Sequence, residues 1–116
     1  TGLVSRLMGN VYTNAKKDLT STSVTTLYTA PSLTTSIVKS ILVSEDSGNA
    51  DTITLTLTDA ESSPSTFSLF KTKSISANGT TELLTAPLVL KTGELLTVTA
   101  ATADRLHVVA SILEIS

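Results

Sequence analysis

Between Thr52 and Thr58 apolar and hydroxyl side chains alternate without a break, with Ile53, Leu55 and Leu57 on one parity and four threonines on the other. A period of two marks a strand with one buried face, so a half-buried β-strand is predicted here. Further short strands are predicted at 24–29, 67–71, 74–76, 80–84 and 95–101, with the apolar Leu88-Val89-Leu90 before the last of these. Between them stand Ala30-Pro31, Ser47-Gly48-Asn49, Ser62-Ser63-Pro64-Ser65, Asn78-Gly79, Ala86-Pro87 and Lys91-Thr92-Gly93-Glu94. Proline withholds a ladder donor, while glycine and asparagine accept positive φ, so these clusters read as turns; Asn78-Gly79 has the form of a tight hairpin turn. Segments 35–44 and 106–115 are apolar on both parities, as expected of strands covered on two faces. No window has the length and period of a core helix. Seven to eight short strands at regular spacing predict an all-β antiparallel sandwich, jelly-roll-like first and immunoglobulin-like second.

The first 23 residues break this pattern. Leu3, Val4, Leu7 and Met8, with Val11, are spaced as on a helix, but Gly9-Asn10 interrupts them and no strand alternation follows. Lys16-Lys17-Asp18 and Thr20-Ser21-Thr22-Ser23 then read as a linker. The expected organisation is an extended N-terminal arm and linker over 1–23 and a sandwich domain over 24–116. Burying each of the five apolar residues would contribute roughly 1.5–3 kcal/mol. A frayed terminus, a strap over the same domain and an arm docked on a neighbouring subunit are all open readings, and the last makes these five residues an interaction site. Thr1 is of the small type left when an initiator methionine is removed, so the arm is expected to be native.

Composition narrows the function. The 116 residues suit one domain large enough to fold around a single core. Charged residues make up 16%, yet serine and threonine together make up about a third of the chain. Threonine is β-branched and suits a pleated surface, and a face polar through hydroxyls can pack on protein without burying charge. The net charge of −2 and scattered Lys and Arg leave no basic stripe for phosphate contacts, so nucleic acid is not an expected partner. No apolar stretch reaches the roughly 20 residues that span a bilayer, and none at the start resembles a secretory signal. With no cysteine there is neither a disulfide framework nor a thiolate metal site.

Candidate chemistry is sparse. His107 is the single histidine; a catalytic base would need a nucleophile and an orienting carboxylate beside it, and no nucleophile-elbow motif is present. It reads as a partly buried strand or interface residue. The run Glu45-Asp46-Ser47-Gly48-Asn49-Ala50-Asp51 gathers oxygens of the kind calcium takes, but without EF-hand spacing, and reads as a solvated hairpin tip. Glu82, Glu94, Asp104 and Glu114 are too dispersed to select a glycosidase pair. Phe67 and Phe70 have opposite parity, so at most one is expected to face outward as a sugar platform. Asn78-Gly79-Thr80 matches a glycosylation acceptor, which the turn explains without it. No catalytic, cofactor or metal site is expected, and no enzyme.

Longer stretches carry a resemblance. They are Thr26-Leu27-Tyr28-Thr29-Ala30-Pro31, Ile37-Val38-Lys39-Ser40-Ile41, Ile53-Thr54-Leu55-Thr56-Leu57 and the run from Ser74 through Asn78-Gly79-Thr80 to Leu84. The clearest is Pro87-Leu88-Val89-Leu90-Lys91-Thr92-Gly93-Glu94-Leu95-Leu96, and Val109 to Ile115 closes the series. Together they span about four-fifths of the chain. In these elements the chain resembles small β-sandwich virion structural proteins of tailed bacteriophages, of the aquatic and marine phage type. The resemblance implies a non-enzymatic, virion-located component that assembles as a homo-oligomer, a trimer being one form, and contacts major capsid or neck and tail proteins. A capsid decoration or cement protein anchored by its arm is the expected role. A neck, tail or fibre-base component, or a host-glycan-binding module, is the alternative. Cofactors, nucleic acid and membrane have no part in it. The apolar outer parity of the last strand is expected to be covered by a neighbour.

Overall fold

A computed structural model describes residues 9–116 of the chain. The alternation at 52–58 becomes an inner row of Ile53 and Leu55, fully buried, with half-buried Leu57 beyond them and threonines on the outer side. The chain forms β1 (Asn10–Asp18), β2 (Thr25–Thr29), β3 (Thr35–Glu45), β4 (Asp51–Thr58) and β5 (Thr66–Ile75). It continues as β6 (Thr80–Glu82), β7 (Leu88–Leu90), β8 (Leu95–Ala100) and β9 (Leu106–Ile115). One sheet runs β1-β9-β3-β6, with β7 also pairing β3, and the other runs β2-β8-β4-β5. Every pairing is antiparallel.

Because β6 and β7 share one lane beside β3, the strands fill two layers of four lanes each. Among the described residues only β4 and β5 are joined as a hairpin; the other connections pass from one sheet to the other or, between β6 and β7, continue the same lane. Two four-lane sheets wound in this way make a jelly roll, which settles the choice against the immunoglobulin order. Leu27, Val38, Ile41, Val43, Ile53, Leu55, Leu96, Val98, Val108 and Ile112 fill the space between the sheets, and Leu19, Leu90 and Leu106 close it.

The boundary expected at residue 23 is corrected. Residues 10–18, expected within the arm and linker, form β1 and pair β9 over their whole length, from Asn10 opposite Ile115 to Asp18 opposite His107. The strand was illegible because it is an edge strand with almost nothing to bury. Only Ala15 is half-buried, against Ala110 on the neighbouring strand, and its other residues are exposed. Leu19, assigned to the linker, is a core residue whose N–H donates to the Leu106 carbonyl at 3.0 Å.

Two bulges correct further expectations. In β3 the register against β9 slips between Val38 and Ser40, so Ser36 and Val38 face inward before the slip and Ile41, Val43 and Glu45 after it. Apolar residues on both parities thus reflect a change of face as well as an apolar outer row; Leu42 points out and is 42% exposed. In β5 the partner of Leu55 is Phe70 and that of Thr56 is Ser68, which leaves Leu69 as an extra residue. Phe67 and Phe70 therefore share one side of the strand despite their opposite parity, Phe70 packed against the core and Phe67 52% exposed toward the strand's start. Asn78 sits at φ 56° in a turn closed by Gly79 N–H to Ser76 O at 2.9 Å. That turn carries the chain between sheets and is not a hairpin.

Candidate functional site

The loops of one end of the roll meet around Glu45. Its carboxylate accepts from Ser47 N–H at 2.8 Å, Gly48 N–H at 3.0 Å, Asn78 N–H at 3.0 Å and the Ser47 hydroxyl. Burial pushes this carboxyl up, but the donors outweigh it and hold it down at about 2. The 45–51 loop, expected as a solvated hairpin tip, is instead a corner between sheets, and the Glu45 oxygens are aimed at donors. Asp51 accepts Thr102 N–H at 3.1 Å in the same way. N–H groups converging on a carboxylate supply the positive charge that a cation would otherwise bring.

His107 lies at this end between two carboxylates. Its Nε2 is 3.2 Å from Asp18 Oδ1 and its Nδ1 is 3.5 Å from Asp46 Oδ2. Ser44 is its cross-strand neighbour on β3, so a serine, a histidine and an aspartate do share a row. Both ring nitrogens already face carboxylates, which leaves neither to take a proton from the serine. Among the described residues no hydrogen bond joins Ser44 to His107. The aspartates also lie off opposite nitrogens, so the three groups do not converge on one metal position. The cluster ties β1, β9 and the β3–β4 corner together.

Two more polar groups hold the layers in place. Tyr28 on β2 reaches across to the other sheet, where its hydroxyl is 2.7 Å from Ser36 Oγ and donates to Glu114. Burial, then the bond to Glu114, pushes the phenol up to about 12. Glu82 caps the β3 bulge, accepting Ile41 N–H at 2.7 Å, Leu84 N–H at 3.1 Å and the Ser40 hydroxyl. Burial raises the Glu82 carboxyl, and these donors more than offset it, so it lies below the usual carboxylate range.

Besides exposed charged side chains, among them Lys39 with its Nζ 5.9 Å from the Tyr12 ring centre, the surface carries apolar and hydroxyl rows. On the outer face of the β1-β9-β3 sheet, Tyr12, Leu113, Ile37 and Val89 pair in sequence across four lanes. Tyr12 is 74% and Val89 55% exposed, and Leu42, Val109 and Ile115 flank the row. The outer face of the other sheet carries threonine pairs, Thr54 with Thr99 and Thr56 with Thr97, the last also beside Thr26. At the open flank between β5 and the β6–β7 lane lies a groove of about 350 Å³ lined by Leu69, Phe70, Leu84, Ala86, Pro87 and Leu88, among others.

Of the five residues expected to form an interaction site, Val11 lies on β1 opposite Glu114 and is 55% exposed. Leu3, Val4, Leu7 and Met8 lie outside the described residues. The transverse apolar row was missed by sequence reading, because it is assembled from four segments far apart in the chain. The apolar outer parity of Leu106–Ile115 was its one visible trace. Leu113 on that parity is half-buried and faces outward, while Ile112 is buried.

Fold and surface together define a jelly-roll sandwich in which Glu45, Asp51, Glu82, Glu114 and His107 tie its own elements together, and whose apolar material continues outside the core. No protein-family model matches the chain, and no curated protein does. Among solved structures, it is similar to a chain of the acidic stable capsid structure of Helicobacter pylori bacteriophage KHP30. The TM-score is 0.51 at 12% identity, over 92% of this chain and 87% of that one. A second similarity is to a chain in the structure of infectious bursal disease virus Gt strain, with a TM-score of 0.49 and 11% identity. There the match covers 94% of this chain but only 31% of the other.

Proposed function

We propose that this protein is a non-enzymatic structural component of a virion, of the tailed-phage type, and that it works as a capsid decoration or cement protein. The observation that carries this reading is the apolar row Tyr12–Leu113–Ile37–Val89 on the outside of a jelly roll. Monomeric soluble proteins rarely leave such contiguous patches uncovered, and large ones mark protein–protein contacts. Particle proteins supply many symmetric neighbours to cover them. The capsid origin of the phage KHP30 structure, whose chain is matched over most of its length, supports the same role. Self-association into a homo-oligomer follows from the same surface, and contacts to major capsid or neck and tail proteins complete the attachment. Residues 1–8 serve as the anchoring arm, since residues 10–18 are committed to β1.

Particles purified through a density gradient test this directly. The protein is expected to co-migrate with them in a fixed copy number per particle, and a map at side-chain resolution is expected to show the Tyr12–Val89 row covered by protein. Recovery only in the particle-free fraction overturns the reading. Specific binding of the isolated protein to one sugar on a glycan array would favour the host-glycan module instead.

A further inference from the structure

We propose that residues 3–8 of one copy lie in the groove between β5 and the β6–β7 lane of a second copy, joining copies head to tail. This rests on the reading of residues 1–8 as a contact arm and names the surface that receives it.

Three features of the groove point to an extended apolar segment as its occupant. Its lining has no charged side chain, and Leu3, Val4, Leu7 and Met8 bring apolar groups interrupted only by Ser5 and Arg6. Its floor is incomplete because the lane opposite β3 is interrupted: β6 pairs Leu42–Ser44 and β7 pairs Ser36–Val38, while 83–87 run between them. Its wall is β5, which among the described residues pairs β4 alone and leaves its other edge unpaired along ten residues. Phe67 and Leu69 are 52% and 38% exposed on that strand. A long free edge with exposed apolar residues invites pairing by another chain, and a segment laid beside it adds main-chain bonds to side-chain burial.

Geometry selects a second copy over the same chain. The described residues begin at Gly9, whose carbonyl accepts the Ser116 N–H at 3.3 Å beside β1. β1 and the β6–β7 lane are the two opposite edges of one sheet. Three lane spacings separate them, about 14 Å, and β5 lies in the other sheet. A chain extends at most about 3.6 Å per residue, so Leu7 and Met8 stay within about 7 Å of Gly9. They cannot reach their own groove. All four apolar residues enter only where the β1 flank of one copy abuts the β5–β7 flank of the next. A contact between two different flanks is heterologous, and it closes into a ring or continues as an open array.

The chain has no cysteine, which makes disulfide trapping clean. Variants Leu7→Cys and Leu84→Cys, mixed in equal amounts and oxidised, are expected to give a covalent dimer. The double variant is expected to give a ladder of multimers. Leu7→Cys mixed with Thr26→Cys, on the opposite flank, is expected to give none. Absence of the Leu7–Leu84 product, or an intrachain bond in the double variant, overturns the proposal. Leu69→Lys changes an exposed bulge residue, so the domain is expected to stay folded by circular dichroism while self-association in sedimentation weakens about tenfold or more. Unchanged association would also overturn it. Particles that hold the protein but yield no cross-link defeat the groove and leave the virion role standing; loss of the protein from particles defeats the role whatever the cross-link shows.

Discussion

Glu45 shows how a single side chain carries information that its neighbours in sequence conceal. In the linear chain it heads an acidic run that invites a cation; folded, it is 2% exposed and takes donors from its own corner and from Asn78. Its ordinary value of 4.5 falls to about 2 because these bonds exceed the opposing effect of burial. A carboxyl depressed on folding contributes stability that is present above its unfolded value and lost as pH falls toward the folded one. Denaturant unfolding of the wild type should therefore weaken progressively between about pH 4.5 and 2. Glu45→Gln should lower the midpoint at neutral pH and flatten that slope, because an amide NH₂ cannot accept the bonds that the second oxygen accepts. Tyr28 gives the opposite sign. Its neutral form is favoured on folding, so its contribution is present below about pH 10 and lost as pH rises toward 12. Ultraviolet titration of a Tyr12→Phe variant, which leaves Tyr28 as the only phenol, should show one transition near 12. Tyr28→Phe should cost about 1–3 kcal/mol, because Ser36 is fully buried and loses a partner.

At the scale of elements, β9 separates packing from assembly within one strand. Ile112 is 1% exposed between the sheets, and its neighbour Leu113 lies in the outer row. Ile112→Ala should destabilise the domain by about 2–5 kcal/mol. Leu113→Ala should shift the unfolding midpoint far less and instead weaken self-association, as read by sedimentation at several concentrations. The start of the chain divides in the same way. Removal of residues 1–8 should leave a cooperative unfolding transition and abolish incorporation into particles. Removal of residues 1–18 takes away β1 and its whole ladder to β9, so the truncated chain should unfold at a clearly lower denaturant midpoint than the chain lacking only residues 1–8. Strands with one wet face were legible because alternation records their burial directly. β1 was not, because an edge strand buries too little to leave a period. The bulges in β3 and β5 were hidden for a related reason: one extra residue reverses parity, and the sequence does not mark where it falls.

Across the whole molecule, two outer surfaces of different chemistry lie back to back, one apolar row crossing the β1-β9-β3 sheet and one threonine array on the other. On the proposed virion role, such a division holds one side against protein and turns the other toward solvent. In a map of the assembled particle the Thr54–Thr99 face should therefore be the more exposed of the two. Disagreement in that orientation would show that hydroxyl packing, rather than apolar burial, makes the main contact. The sequence by itself determined that this chain forms short strands, that they pack as an antiparallel sandwich, and that the threonines of 52–58 line an outer face. Those properties are local, since they depend on propensity and on a period of two. Only the tertiary structure decided the rest: that residues 10–18 complete the roll, that Asp18 and Asp46 meet at His107, and that Tyr12, Ile37, Val89 and Leu113 form one row. Each joins residues tens of positions apart, and such contacts are set by which strands become neighbours, a choice that no local pattern records.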